Sequence, residues 1–223
     1  MEKLDFKKAY RELYLPGTQP SVVEVPQIPY LAVDGRGDPN TSDGEYAHAV
    51  AALYALSYTI KMSKMQCPPQ GYFEYVVPPL EGLWWFADGT PLFAQGVIRN
   101  KTQFCWTAMI LQPDFVTPEV LEWAKQQCAR KKPEIDLRDA RLMTLCEGLC
   151  VQMMHKGPYD AEASSVRRME AYIAQNGLED AQGEHRCGHA CRHHEIYLSD
   201  PRRTAPQNLK TVLRIPVRRC GDA

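Results

Sequence analysis

The chain carries the same strand–turn–helix plan twice, and this internal repeat constrains its fold more than any other feature. Residues 28–62 begin with an apolar strand, continue through a polar turn and end in a helix. Residues 149–178 repeat that order. Both helices carry apolar side chains at helical spacing, so each copy buries one helix face. Two copies are expected to pack together, because one alone leaves half its sheet uncovered.

Each repeated helix is followed by two further strands. In the first half these are residues 80–86 and 104–111, and in the second half residues 193–198 and 210–217. Their apolar or alternating patterns are typical of buried and half-buried strands. Residues 72–77 are a candidate additional strand. Each half therefore reads as strand, helix, strand, strand.

The sequence predicts an α+β fold that is a tandem duplication of a βαββ unit with pseudo-twofold symmetry. Its antiparallel sheet should enclose a central ligand groove between the halves. The 223 residues are read as one domain, with halves at about 20–112 and 140–219. A connecting helix is expected at about 117–132, since Thr117 suits an N-cap and Pro118 suits the first helical turn.

Composition argues against two classes of partner. The chain has 26 Lys and Arg against 27 Asp and Glu, a net charge of -1. A nucleic-acid binder would show a basic excess or stripe, so no direct nucleic-acid contact is expected. No apolar stretch approaches the roughly 18 residues of a membrane span. The charged N-terminus lacks the apolar segment of a signal peptide, so we expect a cytoplasmic protein without a membrane anchor.

The eight cysteines are expected to be free thiols in a chain of this length without a signal peptide. Cys105, Cys128, Cys146 and Cys150 lie in apolar periodic segments, where cysteine acts as a small hydrophobic residue.

A second group of cysteines lies in residues 185–194, where His and Cys alternate. On one face of a strand such neighbours lie nearly 7 Å apart, too far for a compact tetrahedral metal site. A turn at Gly188 would be needed to bring them together. We expect residues 184–192 to be exposed and to carry no structural metal, and we expect no cofactor.

Glu195 lies in a strand whose alternation places Glu195 and Tyr197 on one face and His194 and Ile196 on the other. If the first face meets solvent, the carboxylate is an ordinary surface charge. If it lines an apolar groove, the same pair forms a desolvated acid with a hydrogen-bonding partner. Such a pair suits a cation site or a general base.

Large aromatic side chains are concentrated in the first half. Trp84, Trp85, Phe104 and Trp106 all lie in predicted strands and form either core or an open-topped cage opposite Glu195. Such a cage binds flat, cationic or electron-poor molecules by stacking and cation–π attraction. Alternation allows only one of Trp84 and Trp85 to point inward.

Three residues near these strands allow more than one interpretation. His155 is interpreted as a hydrogen-bonded structural residue, and Glu81 as a charge at a strand edge. Tyr159, in the second repeated turn, either closes the end of the groove or packs on the helix.

Four segments resemble a known family. They are LEGLWW at 80–85, FCWTAMI at 104–110, VQMMHKGPYD at 151–160 and HEIYLSDPRR at 194–203. They are similar to the GyrI-like small-molecule-binding proteins, and most of all to the stand-alone subfamily that includes cyclopropanoid cyclopropyl hydrolases. The resemblance covers about residues 20–217. Residues 184–192 depart from it as a Cys/His-rich insertion.

The resemblance implies a duplicated fold with a central groove, in which Glu195 is the carboxylate and Tyr197 lies beside it. The subfamily hydrolyses the strained cyclopropane of yatakemycin-type DNA alkylators without a cofactor. The first functional hypothesis is therefore a hydrolase that protects against planar aromatic or cationic xenobiotics, with Glu195 and Tyr197 catalytic. The expected substrate contacts are Trp84, Trp85, Phe104, Trp106 and Tyr159.

Two alternatives use the same groove or surface. One is a non-catalytic protein that binds and sequesters drugs, and the other is an interaction module similar to a gyrase inhibitor. The sequence leaves the oligomeric state open.

Overall fold

The computed structural model describes residues 3–94, 97–98 and 100–221. The helices are α1 (Phe6–Ala9), α2 (Arg11–Tyr14), α3 (Glu45–Lys61), α4 (Pro118–Lys131) and α5 (Glu162–Gln175). The strands of the first half are β1 (Ser21–Val25), β2 (Ile28–Arg36), β3 (Leu80–Phe86), β4 (Phe93–Ala94), β5 (Val97–Ile98) and β6 (Phe104–Leu111). Those that follow are β7 (Arg141–Leu145), β8 (Gly148–Lys156), β9 (Leu178–Asp180), β10 (His185–Arg186), β11 (His189–Ala190), β12 (His193–Tyr197) and β13 (Lys210–Arg219).

One large antiparallel sheet organises the molecule. Its strand order is β1-β8-β13-β12-β3-β6-β2-β7, and β9 pairs with the end of β13. The sheet is open, with β1 and β7 at its edges. Two short hairpins, β4–β5 and β10–β11, stand outside it.

The two halves have the same internal order, which confirms the predicted duplication. In the first half, the third strand β6 lies between β3 and β2. In the second half, the third strand β13 lies between β12 and β8. The halves join where β12 pairs antiparallel with β3, at the centre of the sheet.

The edge strands exchange partners between the halves. β1 directly precedes β2 in the chain but pairs with β8, whereas β7 precedes β8 and pairs with β2. Each half is therefore completed by a strand from the neighbouring segment. Neither edge strand was predicted, and the candidate strand at residues 72–77 forms only an isolated bridge between Leu4 and Tyr75.

The two faces of the sheet are covered differently. α3 packs on β2 and β6, α5 packs on β8 and β13, and α4 lies against α3. The N-terminal helices lie on the opposite face, where Tyr14 is fully buried and donates a hydrogen bond to Glu81. The groove lies on the face that carries α3 and α5.

The helix starts agree with the sequence only in part. Thr117 caps α4 and Pro118 is its first residue, as predicted. The sequence also predicts a capping box of Ser42 with Glu45 for α3 and an Asp160 cap for α5, but Gly44 precedes α3 and a single 3₁₀ turn, Tyr159–Ala161, precedes α5. No helix in the described ranges combines the length and apolar character needed to cross a bilayer.

The cysteine prediction was wrong for one pair. Cys146, in the turn between β7 and β8, forms a disulfide with Cys187 in the turn of the β10–β11 hairpin. Cys105, Cys128 and Cys150 are buried free thiols, as expected. The sequence does not indicate this pairing. The two cysteines lie 41 positions apart in the chain, so only the tertiary fold brings them together.

Candidate functional site

A groove of about 1620 Å³ lies between the two halves. The first half contributes Tyr46 and Tyr54 from α3 and Trp84 from β3. The second half contributes residues of α5 and β12. A small planar molecule would be enclosed by both copies of the repeat.

Glu195 lies at the floor of this groove, on β12 where it pairs with β3. It is 8% exposed. The Tyr197 hydroxyl donates to its Oε2 at 2.8 Å, and Trp84 Nε1 donates to the Tyr197 oxygen at 2.9 Å. Trp84 thus holds the Tyr197 hydroxyl, and that hydroxyl holds Glu195. This series of hydrogen bonds fixes the orientation of the carboxylate.

Gly82 makes this arrangement possible. It lies opposite Glu195 in the β12–β3 register. A Cβ at this position would lie 2.7 Å from Trp84 Nε1 and 3.2 Å from the Tyr197 hydroxyl. The absence of a side chain lets the indole fold across the strand to reach Tyr197.

A second carboxylate, Glu162, lies beside Glu195. It is the first residue of α5 and is 2% exposed. Burial, and then the charge of Glu195, raise the pKa of Glu162 well above the ordinary glutamate range, while Thr211 acts in the opposite direction. The protonated form of Glu162 is therefore favoured beside Glu195.

His193 approaches the other oxygen of Glu195. Its Nε2 lies 3.3 Å from Glu195 Oε1, and the ring is 1% exposed. Phe93 packs against the imidazole with ring centroids 5.1 Å apart. Glu195 thus has Tyr197 at one oxygen and His193 at the other.

Aromatic rings line the groove above the two carboxylates. Tyr46 and Phe104 pack against Trp84, with centroids at 5.3 and 5.6 Å. Tyr159 meets Tyr197 edge-on at 5.7 Å. Burial is the largest cause that raises the pKa of Tyr159 to about 12, so it remains a neutral donor. The resulting surface can stack a flat molecule and hydrogen-bond to its edge.

The structure separates Trp85 and Trp106 from the other expected substrate contacts. Trp85 points to the opposite face of the sheet because it follows Trp84 in β3, and Arg192 lies over its ring at 4.9 Å. Trp106 is fully buried beneath Tyr46, with centroids 5.0 Å apart. It supports the groove wall without lining it.

Two other polar residues, His155 and Glu81, do not line the groove. His155 Nδ1 lies 2.9 Å from Ser165 Oγ and its Nε2 lies 3.2 Å from the Pro158 carbonyl oxygen. Burial lowers the pKa of His155, and the Pro158 carbonyl partly offsets this. Glu81, expected at a strand edge, is fully buried on the face opposite the groove.

The Cys/His-rich segment forms the β10–β11 hairpin, turning at Cys187 and Gly188, which both have positive φ. Within the described ranges, no three His, Cys, Asp or Glu side chains are grouped to hold a metal ion.

Three residues of the site were missed by sequence reasoning. Tyr46 and Glu162 lie on helices, whose rotation about their axes is set by tertiary packing. His193 was considered only as part of the Cys/His alternation. The sequence did indicate its position, because alternation places His193 on the same face of the strand as Glu195 and Tyr197.

Comparisons with known proteins support a single family. The family model of the GyrI-like small molecule binding domain matches residues 18–218. An uncharacterized conserved protein from Listeria innocua is 45% identical, with a TM-score of 0.87 over 97% of this chain and 100% of that one. A hydrolase from Listeria innocua is 44% identical, with a TM-score of 0.84 and the same coverage.

A more distant structure shares only the fold. The C-terminal domain of EcmrR has a TM-score of 0.50 at 11% identity, covering 90% of this chain and 98% of that one. No curated protein matches the chain.

Proposed function

This chain belongs to the GyrI-like small-molecule-binding family, and we propose that it hydrolyses the cyclopropane ring of planar aromatic electrophiles bound in the groove. The observation that carries the proposal is the pair of carboxylates, Glu195 and Glu162, at the floor of an aromatic groove. A protein that only stacked planar drugs would need the rings but no acid and base side by side. Support also comes from the Listeria innocua hydrolase, which matches this chain over its whole length.

The two carboxylates suit opposite steps of proton transfer. Glu195 is the general base, held by Tyr197 at one oxygen. Glu162 is the acid, because burial beside Glu195 raises its pKa and favours the protonated form.

In the proposed reaction, water adds across a strained carbon–carbon bond. The water oxygen forms a bond to the cyclopropane carbon, and Glu195 takes one of its protons. The breaking carbon–carbon bond sends its electron pair through the conjugated ring to the carbonyl oxygen, which becomes a phenolate. A proton returns to that oxygen from the acid side of the site, Glu162 or a tyrosine hydroxyl, so one water is added overall. Ring strain and aromatisation drive the step, and no external co-reactant is needed.

The aromatic wall holds the substrate in place for this attack. Trp84 and Phe104 present their rings to the groove, and Tyr159 approaches from the other half. Stacking fixes the ligand plane, and a fixed geometry replaces a bimolecular encounter with a step inside one complex. We assign substrate contact to these residues and to Tyr46.

The test is incubation with a yatakemycin-type cyclopropane alkylator, followed by mass spectrometry for the ring-opened product that has gained one water. The substitution Glu195→Gln keeps the shape of the side chain and removes its basicity. Turnover should fall by about two to four orders of magnitude, the usual share of a general base. Binding of a neutral planar ligand should persist, because the aromatic wall is unchanged.

Glu122→Gln is the matched control, since Glu122 is exposed on α4, away from the groove. It should leave turnover unchanged. A wild-type protein that binds the alkylator but yields no hydrated product would support a sequestering protein instead. Equal turnover of wild type and Glu195→Gln would exclude Glu195 as the base.

A further inference from the structure

A second cavity, of about 660 Å³, lies on the face of the sheet opposite the groove. Its walls come from β2, β3, β6 and β7, and the segment that ends the β10–β11 hairpin forms its rim. Trp85 lies in this cavity, whereas its neighbour Trp84 lies in the groove. The sheet therefore separates the two sites.

Three arginines line the second cavity. Arg141 Nη2 donates to Asp34 at 2.8 Å, while its Nη1 is buried without a partner. The Arg192 guanidinium lies over the Trp85 ring, 4.9 Å from its centroid. In the described part of the chain, neither Arg36 nor Arg192 forms an ion pair with an acidic side chain. Arg141 Nη1 therefore has unused hydrogen-bonding capacity in the cavity, and Arg36 and Arg192 add positive charge to its lining.

The charges in this cavity favour a ligand with one negative charge. Asp34 and Glu45 are the acidic side chains of the lining, and Asp34 is already held by Thr107 at 2.6 Å as well as by Arg141. Three arginines and two carboxylates leave one net positive charge. A planar guanidinium matches a carboxylate in geometry, and the Trp85 ring suits a flat partner.

We propose that this cavity is a separate binding site for a planar aromatic carboxylate. The ring of the ligand packs at the Trp85–Arg192 pair, and its carboxylate accepts hydrogen bonds from Arg141 and Arg36. The site does not share residues with the groove and does not depend on the hydrolytic function proposed above.

The disulfide holds the rim of this site. Cys187 lies in the β10–β11 turn and is bonded to Cys146, which follows β7, the strand that carries Arg141. Arg192 lies two residues after the hairpin, so the disulfide ties the segment that carries Arg192 to the residue that follows β7. Loss of the bond should loosen Arg192 relative to Arg141 and weaken binding.

The experiment is isothermal titration of the full chain with 2-naphthoate, compared with the neutral 2-naphthamide. Because the groove also offers aromatic rings to planar ligands, the titrations are run in Tyr159→Leu as well as in wild type. We expect a 2-naphthoate site that is present in both proteins, and much weaker binding of the amide at that site. Arg192→Gln removes the guanidinium against which the ligand ring packs, so 2-naphthoate should bind roughly ten-fold more weakly. Trp85→Leu should weaken both probes, and the double change Cys146→Ser with Cys187→Ser should weaken 2-naphthoate several-fold.

Two controls separate this site from the rest of the surface. Arg138→Gln removes an exposed arginine that pairs with Asp136 outside both cavities, and it should leave the affinity unchanged. Tyr159→Leu alters the groove and should also leave 2-naphthoate binding unchanged. Circular dichroism confirms that each variant is folded. The proposal is overturned if folded Arg192→Gln and Trp85→Leu bind 2-naphthoate like the wild type, if Tyr159→Leu abolishes binding, or if no binding occurs at millimolar probe.

Discussion

Glu195 and Glu162 differ in what surrounds them more than in where they lie. Glu195 accepts a hydrogen bond from Tyr197 and has the His193 ring near its other oxygen. Glu162 is buried at the start of α5 and lies beside Glu195. Hydrogen-bond donors stabilise a carboxylate, whereas burial beside a negative charge stabilises the protonated acid. The surroundings of Glu162 therefore favour its protonated form.

The raised pKa of Glu162 predicts how stability changes with pH. The folded protein binds this proton more tightly than the unfolded chain, whose carboxyl titrates near 4.5. Its contribution is fully present below that value and is lost as the pH rises towards the folded pKa. Glu162→Gln keeps a neutral side chain at every pH. The variant should therefore gain stability relative to wild type as the pH is raised from about 4 to about 8.

Urea unfolding of both proteins across that range measures the effect, with Glu122→Gln, at an exposed position of α4, as the control. The control should follow the wild-type curve. A constant difference between Glu162→Gln and wild type at all pH values would show that Glu162 is ionised in the folded protein.

Among the elements of the fold, the junction of β3 and β12 depends on Gly82, which has no side chain. Gly82→Ala would place a methyl group 2.7 Å from Trp84 Nε1, so the indole must move away from Tyr197. We expect a destabilisation of about 1–3 kcal/mol, as is usual for overpacking. Ligand affinity in the groove should fall as well, because the Trp84–Tyr197 hydrogen bond is lost.

Thermal unfolding and titration of a neutral planar ligand measure these two effects. Gly17→Ala is the matched control, since no atom lies nearer than 3.9 Å to the added Cβ. Wild-type ligand affinity in the Gly82→Ala protein would show that Trp84 does not need its bond to Tyr197.

The sequence predicted the central elements better than the edges. β3 and β6 were predicted to the residue, because their apolar patterns are bounded by proline and polar residues. β1 and β7 were missed because they are short edge strands, and the exposed side chains of β1 give no burial pattern. Alternation alone placed Glu195 and Tyr197 on one face. No local pattern could report that α5 would turn Glu162 towards them, since that depends on how the helix packs.

At the scale of the molecule, a buried ionic network joins segments that are distant in the chain. His194 Nδ1 lies 3.0 Å from Glu147, and its Nε2 lies 3.0 Å from Glu81. Arg214 Nη1 donates to Glu147 at 3.0 Å, and Tyr14 donates to Glu81 at 2.8 Å. The N-terminal helices, both halves and the β7–β8 turn thus meet on the face opposite the groove. Breaking such a network is costly, because it leaves uncompensated charges in the interior.

The same network makes the stability of the protein depend on pH through His194. Burial alone would lower the pKa of His194, but the charge of Glu147 and hydrogen bonds to Glu147 and Glu81 raise it from 6.5 to about 9. A raised folded pKa contributes stability that is fully present below 6.5 and is lost as the pH rises through about 9. The loss should be on the order of 3 kcal/mol, since each pKa unit corresponds to about 1.4 kcal/mol.

Urea unfolding between about pH 6 and about pH 10 measures this loss in wild type, in His194→Gln and in His48→Gln. His194→Gln should be less stable than wild type at the acidic end, because Glu81 and Glu147 lose their shared cation, and its stability should change less with pH. His48→Gln is the control, since the His48 side chain is 66% exposed and pairs with exposed Asp43. It should keep the wild-type slope. If His194→Gln kept that slope too, the loss of stability at high pH would arise elsewhere, and His194 would be neutral in the folded protein.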